Sequence, residues 1–182
     1  MKATAQSIAE TPAMEQSLLS AVCDLTKARL SGLVLMTTLA GFYLGNSGAA
    51  SFSLMVHALA GTALLAAGAA ALNQLLERDL DARMNRTENR PLPAGRLHPD
   101  TALIFGGLCA AAGLLWLALK VNLITSLLGA ATIASYLFVY TPLKRKTTLN
   151  TAIGAIPGAL PPLMGWTAAT GEIAVGGWAL FA

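Results

Sequence analysis

Residues 52–93 read FSLMVHALAGTALLAAGAAALNQLLERDLDARMNRTENRPLP, a long apolar run that ends abruptly in charges and carboxamides. The apolar part, residues 52–76, exceeds the roughly 20 residues that an α-helix needs to cross a bilayer. Ionisable groups at membrane depth are costly, and they tend to mark chemistry or transport. The stretch therefore predicts a transmembrane helix that ends in a functional polar cluster, beginning at Asn73.

The composition of the whole chain is that of a membrane protein. Of its 182 residues, 55% are hydrophobic and only 12% are charged, and the mean hydropathy is +0.61. These values are far from those of a soluble domain. We predict an all-α, polytopic transmembrane bundle with five spans and the beginning of a sixth near residue 173. The five apolar stretches are residues 30–44, 52–76, 102–119, 123–142 and 149–169.

Lysine and arginine indicate the orientation, because positive charge collects in short cytoplasmic loops. With alternating spans, eleven of the 12 basic residues fall on one side of the membrane, and only Lys120 falls on the other. The N-terminus and the polar cluster are therefore expected in the cytoplasm. The net charge of +3 follows from this asymmetry, so no nucleic-acid partner is needed to explain it. The first 29 residues carry no recognisable secretory or transit signal, which favours a bacterial cytoplasmic (inner) membrane.

The chain divides into an N-terminal cytoplasmic or interfacial segment, residues 1–29, and a transmembrane domain, residues 30–182. Cytoplasmic loops are expected at about residues 77–100 and 143–148. The first loop contains three prolines and cannot form one helix, so we expect an ordered cap. Three more prolines in the fifth span predict a kink or a local unwinding there.

Three oxygen-bearing side chains share one face of the predicted second helix. Asn73, Glu77 and Asp81 are spaced i, i+4 and i+8. At about 100° per residue they drift by only about 80° while rising roughly 12 Å. Hard oxygen donors at a water-accessible helix end suit Mg²⁺, which takes one or two protein carboxylates and fills its shell with water and phosphate oxygens. The spacing therefore predicts a magnesium site.

Basic side chains on the same side of the membrane predict phosphate binding. Arginine presents a planar fork of donors that matches phosphate oxygens. A second basic element follows the fourth span, where Tyr140 and Lys144 lie four residues apart. Metal and cations together describe a diphosphate site. The candidate diphosphate-binding residues are Arg78, Arg83, Arg86, Arg90, Lys144 and Arg145.

A purely structural interpretation competes with this one. The cluster from Asn73 to Asp81 could be a solvated helix end with internal ion pairs, since acidic and basic residues are common there. The segment from Tyr140 to Lys146 could be a positive-inside anchor with an interfacial tyrosine. Two such elements on one face of the membrane favour a shared site over two unrelated helix ends.

Two runs carry a resemblance to a known family. Residues 73–95 read NQLLERDLDARMNRTENRPLPAG, and residues 140–166 read YTPLKRKTTLNTAIGAIPGALPPLMGW. They resemble the protohaem IX farnesyltransferases (haem O synthases) of the UbiA-type intramembrane prenyltransferase superfamily. The Asn-xxx-acid-xxx-Asp and Tyr-xxx-Lys patterns are those of the superfamily at large, while RTENRPLP and GAIPGALPPLMGW point to the haem branch.

The resemblance implies about nine transmembrane helices around a cavity that opens to lipid, of which this chain would hold the N-terminal five to six. The implied enzyme transfers a farnesyl group from farnesyl diphosphate to a vinyl group of protohaem IX (haem B), giving haem O. Asn73, Glu77 and Asp81 would be catalytic and would help to hold Mg²⁺ on farnesyl diphosphate. Tyr140 and Lys144 would act beside the diphosphate. Implied partners are the lipid bilayer and a downstream haem A synthase or terminal oxidase assembly.

The sequence departs from the family pattern at several points. Ala28 stands where many relatives have proline, and Glu77 stands where the wider superfamily often has aspartate, although glutamate remains an oxygen ligand. The family's second acidic motif would lie beyond Ala182. We therefore expect these 182 residues to be the N-terminal part of an enzyme and inactive alone, which turnover by the purified fragment would contradict.

Two alternatives remain open at this point. Another UbiA-type prenyltransferase, acting on an aromatic acid or a chlorophyll-type acceptor, would share the diphosphate motif. A membrane transporter would also show kinked helices and charges at the membrane edge. A transporter should place its polar groups near the middle of the bilayer, however, whereas nearly every charge of this chain falls at one face.

Overall fold

The computed structural model describes residues 20–46, 48 and 51–182 of the chain. Every regular element in this part is helical, which confirms the predicted all-α class. Residues 1–19 of the predicted interfacial segment lie outside the described part, and residues 20–25 are helical. The elements are α1 (Ala28–Gly45), α2 (Phe52–Asp81), α3 (Pro99–Lys120), α4 (Leu123–Ala134), a π-helix (Ser135–Tyr140), α5 (Thr141–Leu143), α6 (Asn150–Thr170) and α7 (Val175–Phe181).

In the described part of the chain, four helical segments are long and apolar enough to cross a membrane. They are α1, α2, α3 and the continuous segment Leu123–Leu143, which joins α4, the π-helix and α5. α6 has 21 residues, so its length also suits a span, but its prolines, glycines and threonines make it less apolar. The chain is a multi-pass membrane protein.

α1 and α6 pack side by side because glycines let their backbones approach. A methyl group on Gly41 of α1 would overlap the carbonyl group of Pro162, and one on Gly165 of α6 would overlap the carbonyl oxygen of Thr38. Small residues at such crossings allow close van der Waals contact between membrane helices. α2 and α3 use the same device, since Gly68 and Gly106 face each other.

The fifth predicted span, α6, is helical from end to end. Pro157, Pro161 and Pro162 all lie inside it, and the helix is nevertheless unbroken, so the local unwinding that they suggest does not occur.

At the far end of the bundle from the polar cluster, Asn122 caps α4 by accepting a hydrogen bond of 2.8 Å from the amide of Thr125. Its side-chain amide also donates to a carbonyl of α6 at 2.8 Å. α4 and α6 are thereby tied together beside the α3–α4 turn.

The segment before α1 and the first loop, residues 82–98, fold onto the end of α2. The Gln74 side chain donates to the backbone carbonyls of Asp24, at 2.7 Å, and of Leu25, at 2.9 Å. Leu25 also packs in a buried cluster with Ala71, Ala102 and the loop residue Leu92. Residues 82–98 form turns rather than one helix. The loop is an ordered cap, as its prolines predict.

Candidate active site

The polar cluster forms the last turns of α2, and its three oxygen-bearing residues are buried. α2 continues to Asp81, so all three lie on one regular helix as their spacing predicts, and the first loop begins at residue 82 rather than at about residue 77. Asn73, Glu77 and Asp81 are 1%, 4% and 2% exposed. A helix brings positions i, i+4 and i+8 to one face. Buried carboxylates require paired charges and hydrogen bonds, which the loops after α2 and α5 supply.

Glu77 is held by the second loop, which follows α5. Nζ of Lys144 lies 2.7 Å from Oε2 of Glu77. Nη2 of Arg145 lies 2.9 Å from Oε1 of the same carboxylate. One buried carboxylate therefore gathers two cations from the end of the fourth span, and the two motifs that the sequence singled out form one site.

Asp81 is held by the first loop, which follows α2. Nη1 of Arg90 donates to Oδ2 of Asp81 at 2.6 Å. The buried hydroxyl of Thr87 donates to the backbone carbonyl of Asp81 at 2.9 Å, which closes the loop onto the C-terminal end of α2. Arg90 is thus the loop arginine that the fold delivers to the row of oxygens.

Asn73 contacts two residues that the sequence did not single out for the site. Nζ of Lys27 donates to its Oδ1 at 2.7 Å, and its Nδ2 donates to Oγ1 of Thr141 at 3.1 Å. In the sequence, Lys27 counts only among the basic residues that indicate the orientation in the membrane. Its position just before the first span, on the same side as the cluster, is nevertheless a signal that could have identified it as a site residue. Thr141 directly follows Tyr140 in the second motif, and a threonine there carries no signal of its own.

Lys27 stands in an unusual setting. Its backbone is left-handed, with φ 48° and ψ 54°, the one non-glycine positive φ in the described part of the chain. Such a conformation is uncommon for a residue with a Cβ atom. Burial, and after it the positive charge of Arg90, lower the pKa of Lys27 to about 8. An ammonium group is therefore held close to other cations at the start of α1.

The donor set fits Mg²⁺. Asn73, Glu77 and Asp81 offer one amide and two carboxylate groups, the hard oxygen ligands that this ion prefers. No group of three His, Cys, Asp or Glu residues in the described ranges could hold a metal ion. A protein site of two carboxylates still suits Mg²⁺, because water and substrate phosphates usually complete its octahedron. Each of the three side chains contacts a cation of the protein: Lys27 at Asn73, Lys144 at Glu77 and Arg90 at Asp81. The oxygen atoms of the row are therefore oriented toward positively charged groups.

A cavity of about 740 Å³ lies beside the row of oxygens. Lys27, Tyr140 and Asn150 line its end near the row, and Thr62 and Met164 line it at deeper levels of the bundle. Most of its other lining residues are apolar or small, as expected of a site for a hydrocarbon ligand. Lys27 both lines this cavity and contacts Asn73, so the end of the cavity at Lys27 and Tyr140, here called its mouth, adjoins the charged row.

Tyr140 lies at that mouth. Its ring is stacked on the ring of Tyr136, with centroids 5.8 Å apart, and Nζ of Lys144 lies 5.8 Å from its centroid. A methyl group on Gly154 of α6 would press on the same ring, so the glycine makes room for it. The structure therefore brings both Tyr140 and Lys144 to the site.

The fold does not bring the remaining candidate arginines to the row. Arg78 points away and pairs with its neighbour Asp79, with Nε 3.0 Å from Oδ1, and these side chains are 41% and 78% exposed. Asp79 therefore also lies off the ligand face, as its helical position indicates. Arg83 and Arg86 are exposed in the loop.

Comparison with known proteins identifies relatives. Residues 34–182 match the UbiA prenyltransferase family. The chain is 46% identical over 168 residues to a protoheme IX farnesyltransferase of Solibacter usitatus (strain Ellin6076), which covers 87% of this chain and 58% of the relative. It is 48% identical over 185 residues to a protoheme IX farnesyltransferase of Myxococcus xanthus (strain DK1622), covering 100% of this chain and 59% of the relative. The chain thus spans about three fifths of the length of these two relatives.

A solved structure supports the same fold. A UbiA homolog from Archaeoglobus fulgidus, bound to DMAPP and Mg²⁺, superposes with a TM-score of 0.71 over 88% of this chain and 58% of that protein. The sequence identity is 20%, so the likeness concerns the fold alone.

Proposed function

The chain belongs to the UbiA prenyltransferase family, and from that membership we propose that it transfers a farnesyl group from farnesyl diphosphate to a vinyl group of haem B, giving haem O. One observation carries the proposal: the buried row of Asn73, Glu77 and Asp81 meets cations of two loops at the mouth of a largely apolar cavity. The acceptor is inferred from the relatives, which are named protoheme IX farnesyltransferases.

The row on α2 would hold the metal. Asn73, Glu77 and Asp81 are the proposed ligands of Mg²⁺, which when bound supplies positive charge against the diphosphate leaving group. The Archaeoglobus fulgidus homolog, with DMAPP and Mg²⁺ bound, supports this choice of ion.

Three cations of the two loops would hold the diphosphate. Lys144 and Arg145, which now contact Glu77, and Arg90, which now contacts Asp81, can turn their donors to phosphate oxygens. The bond between C1 of the farnesyl group and the diphosphate oxygen breaks, and its electron pair leaves with the diphosphate. Preorganised positive groups stabilise this developing charge, which is usually the largest contribution to catalysis of this kind.

The cavity would hold the hydrocarbon tail and keep water from the allylic carbon. Its apolar walls exclude water from a reactive centre, which prevents hydrolysis. The terminal vinyl carbon of haem B forms the new bond to C1. Water then adds to the other vinyl carbon and loses a proton, so the product carries a hydroxyethylfarnesyl group and one diphosphate is released. Tyr140, at the mouth, would border the reacting centre.

We further propose a bacterial cytoplasmic membrane as the location, with the N-terminus and both loops on the cytoplasmic side. The distribution of Lys and Arg supports this orientation. The product would pass to a haem A synthase or to the assembly of a terminal oxidase.

The test uses the protein from the complete reading frame in lipid nanodiscs, supplied with farnesyl diphosphate, haem B and Mg²⁺. We expect haem O by chromatography and mass spectrometry, with one diphosphate released per haem, and none after chelation of the metal. Asp81→Asn should abolish the product, while the exposed neighbour Asp79→Asn should retain it. A prenylated phenol or chlorophyll precursor formed in place of haem O would identify another acceptor. Diphosphate release that does not depend on Asp81 would overturn the proposed site.

A further inference from the structure

The hydroxyl group of Thr141 lies between the backbone carbonyl of Tyr136 and the side chain of Asn73. Because the hydroxyl has one hydrogen, it can donate a hydrogen bond to only one of these two groups. Oγ1 of Thr141 is 2.8 Å from the backbone carbonyl of Tyr136 and 3.1 Å from Nδ2 of Asn73. A carbonyl oxygen only accepts hydrogen bonds, so the hydroxyl must donate its hydrogen to Tyr136. Toward Asn73 the hydroxyl can then only accept. The NH₂ group of the Asn73 side chain, and not its oxygen, must therefore face Thr141.

The other side of Asn73 requires the same orientation. Nζ of Lys27 lies 2.7 Å from Oδ1 of Asn73, and an ammonium group can only donate. The chain of hydrogen bonds thus begins at Lys27, which can only donate, and ends at the carbonyl of Tyr136, which can only accept. Carboxamide oxygen and nitrogen are otherwise hard to tell apart, and here the network assigns them. The oxygen of Asn73 therefore faces Nζ of Lys27.

The π-helix brings Thr141 to this position. In a π-helix the backbone bonds run from i+5 to i, and the amide of Thr141 indeed donates to the carbonyl of Tyr136. That carbonyl therefore accepts from both the backbone and the side chain of Thr141. Segments of this kind recur at functional sites, because the extra residue turns the following side chains to another direction.

Two contacts in register join this helix end to α2. Thr141 meets Asn73, and Lys144, three residues later, meets Glu77, four residues after Asn73. Both helices run toward the cytoplasm, so steps of three and four residues advance by similar distances, roughly 4.5 and 6 Å. The contact at Thr141 is buried, whereas Lys144 is partly exposed. Of the two residues that contact α2, Thr141 is the one less exposed to solvent.

We propose that Thr141 is a positioning residue that holds the carboxamide of Asn73 with its oxygen toward the cation site. The proposal rests on the proposed function, because that function makes Asn73 a ligand of the divalent ion. Hydrogen-bond partners behind a metal ligand fix its orientation, and their loss typically weakens metal binding about 10- to 100-fold.

The test compares three variants of the protein from the complete reading frame in nanodiscs. Thr141→Val keeps the shape and removes the hydroxyl, and Thr141→Ser keeps the hydroxyl. Thr125→Val is the matched control, because Thr125 is also buried and its hydroxyl bonds to Thr167, 3.0 Å away, near the other end of the continuous segment Leu123–Leu143. The affinity for Mn²⁺ is measured by electron paramagnetic resonance with the non-hydrolysable farnesyl thiodiphosphate present, and the unfolding temperature of each variant is recorded.

We expect Thr141→Val to weaken Mn²⁺ binding at least about 10-fold. Thr141→Ser and Thr125→Val should bind Mn²⁺ like the wild type, although Thr125→Val lowers the unfolding temperature. Wild-type Mn²⁺ affinity in Thr141→Val, or an equal loss in Thr125→Val, would overturn the positioning role. Wild-type protein that binds Mn²⁺ with the analogue but farnesylates no haem would instead refute the proposed reaction, with the positioning role still judged by the Mn²⁺ affinities.

Discussion

Nζ of Lys144 lies 2.7 Å from Oε2 of Glu77, although 67 positions separate the two residues in the sequence. Arg145 approaches the other carboxylate oxygen of Glu77 at 2.9 Å. The acid belongs to α2, and the cations follow α5, so neither segment forms a complete site without the other. Removal of either side should therefore affect substrate binding and catalysis.

Removal of the charge of Glu77 is the most direct test of this relationship. Glu77→Gln keeps the size of the side chain but leaves Lys144 and Arg145 without their counter-charge, and it weakens a proposed metal ligand. We expect kcat/KM for farnesyl diphosphate to fall at least about 100-fold, as it does when one electrostatic group of an active site is lost. Glu88→Gln, in the exposed part of the first loop, removes the same charge and should leave kcat/KM unchanged. An unchanged kcat/KM in Glu77→Gln would exclude this residue from the site.

The pair of Asp81 and Arg90 should contribute more to stability than the neighbouring exposed pair. Its side chains are 3% and 24% exposed, and Nη1 of Arg90 donates to the carboxylate at 2.6 Å. A double-mutant cycle with Asp81→Asn and Arg90→Gln, followed by thermal unfolding, should give a coupling free energy of about 1–3 kcal/mol. The same cycle on Arg78 and Asp79 should give less than about 0.5 kcal/mol. Equal coupling in the two cycles would contradict the assignment of Arg90 to the buried row.

Lys27 should contribute to the binding of the prenyl diphosphate. Its ammonium group contacts Asn73 and lines the cavity where the charged and apolar parts of the site meet. We expect Lys27→Ala to weaken binding of farnesyl thiodiphosphate about 10-fold, since a lost charge-assisted contact is worth about 1.5 kcal/mol or more. Binding of the uncharged alcohol farnesol should change little. Arg29→Ala removes the same charge two residues away, on an exposed side chain, and provides the control. A similar loss in both variants would indicate a general effect of surface charge.

The packing of α1 on α6 should depend on one glycine of α1 and not on another. A methyl group on Gly41 overlaps the carbonyl group of Pro162, whereas Gly32, on the same helix, has open space around it. We expect Gly41→Ala to lower the free energy of unfolding by about 1–3 kcal/mol through overpacking. Gly32→Ala should leave it unchanged or raise it by up to about 1 kcal/mol, because alanine favours the helix. Thermal unfolding in detergent measures both, and a tolerated Gly41→Ala would contradict this helix contact.

Local patterns were enough to predict the helices and one face of the site. Apolar runs of span length depend only on neighbouring residues and on the thickness of a bilayer, so α1, α2, α3 and the continuous segment Leu123–Leu143 lie close to the predicted bounds. The helical repeat places Asn73, Glu77 and Asp81 in one row for the same reason. The contribution of each arginine could not be read in this way. Arg78 and Arg90 are alike as residue types, but α2 turns the first away from the row, while a fold of the loop returns the second to Asp81.

The sequence by itself determined an all-helical membrane bundle, a row of oxygen donors at a helix end and a second basic motif on the same face. These features follow from residue type and from spacings of a few positions. Only the tertiary structure decided that Lys27 and Thr141 reach Asn73 across 46 and 68 positions. Such contacts arise from the way whole helices pack, from the turn added by the π-helix and from the close approach of backbones at small residues. No local pattern of residues encodes those distances.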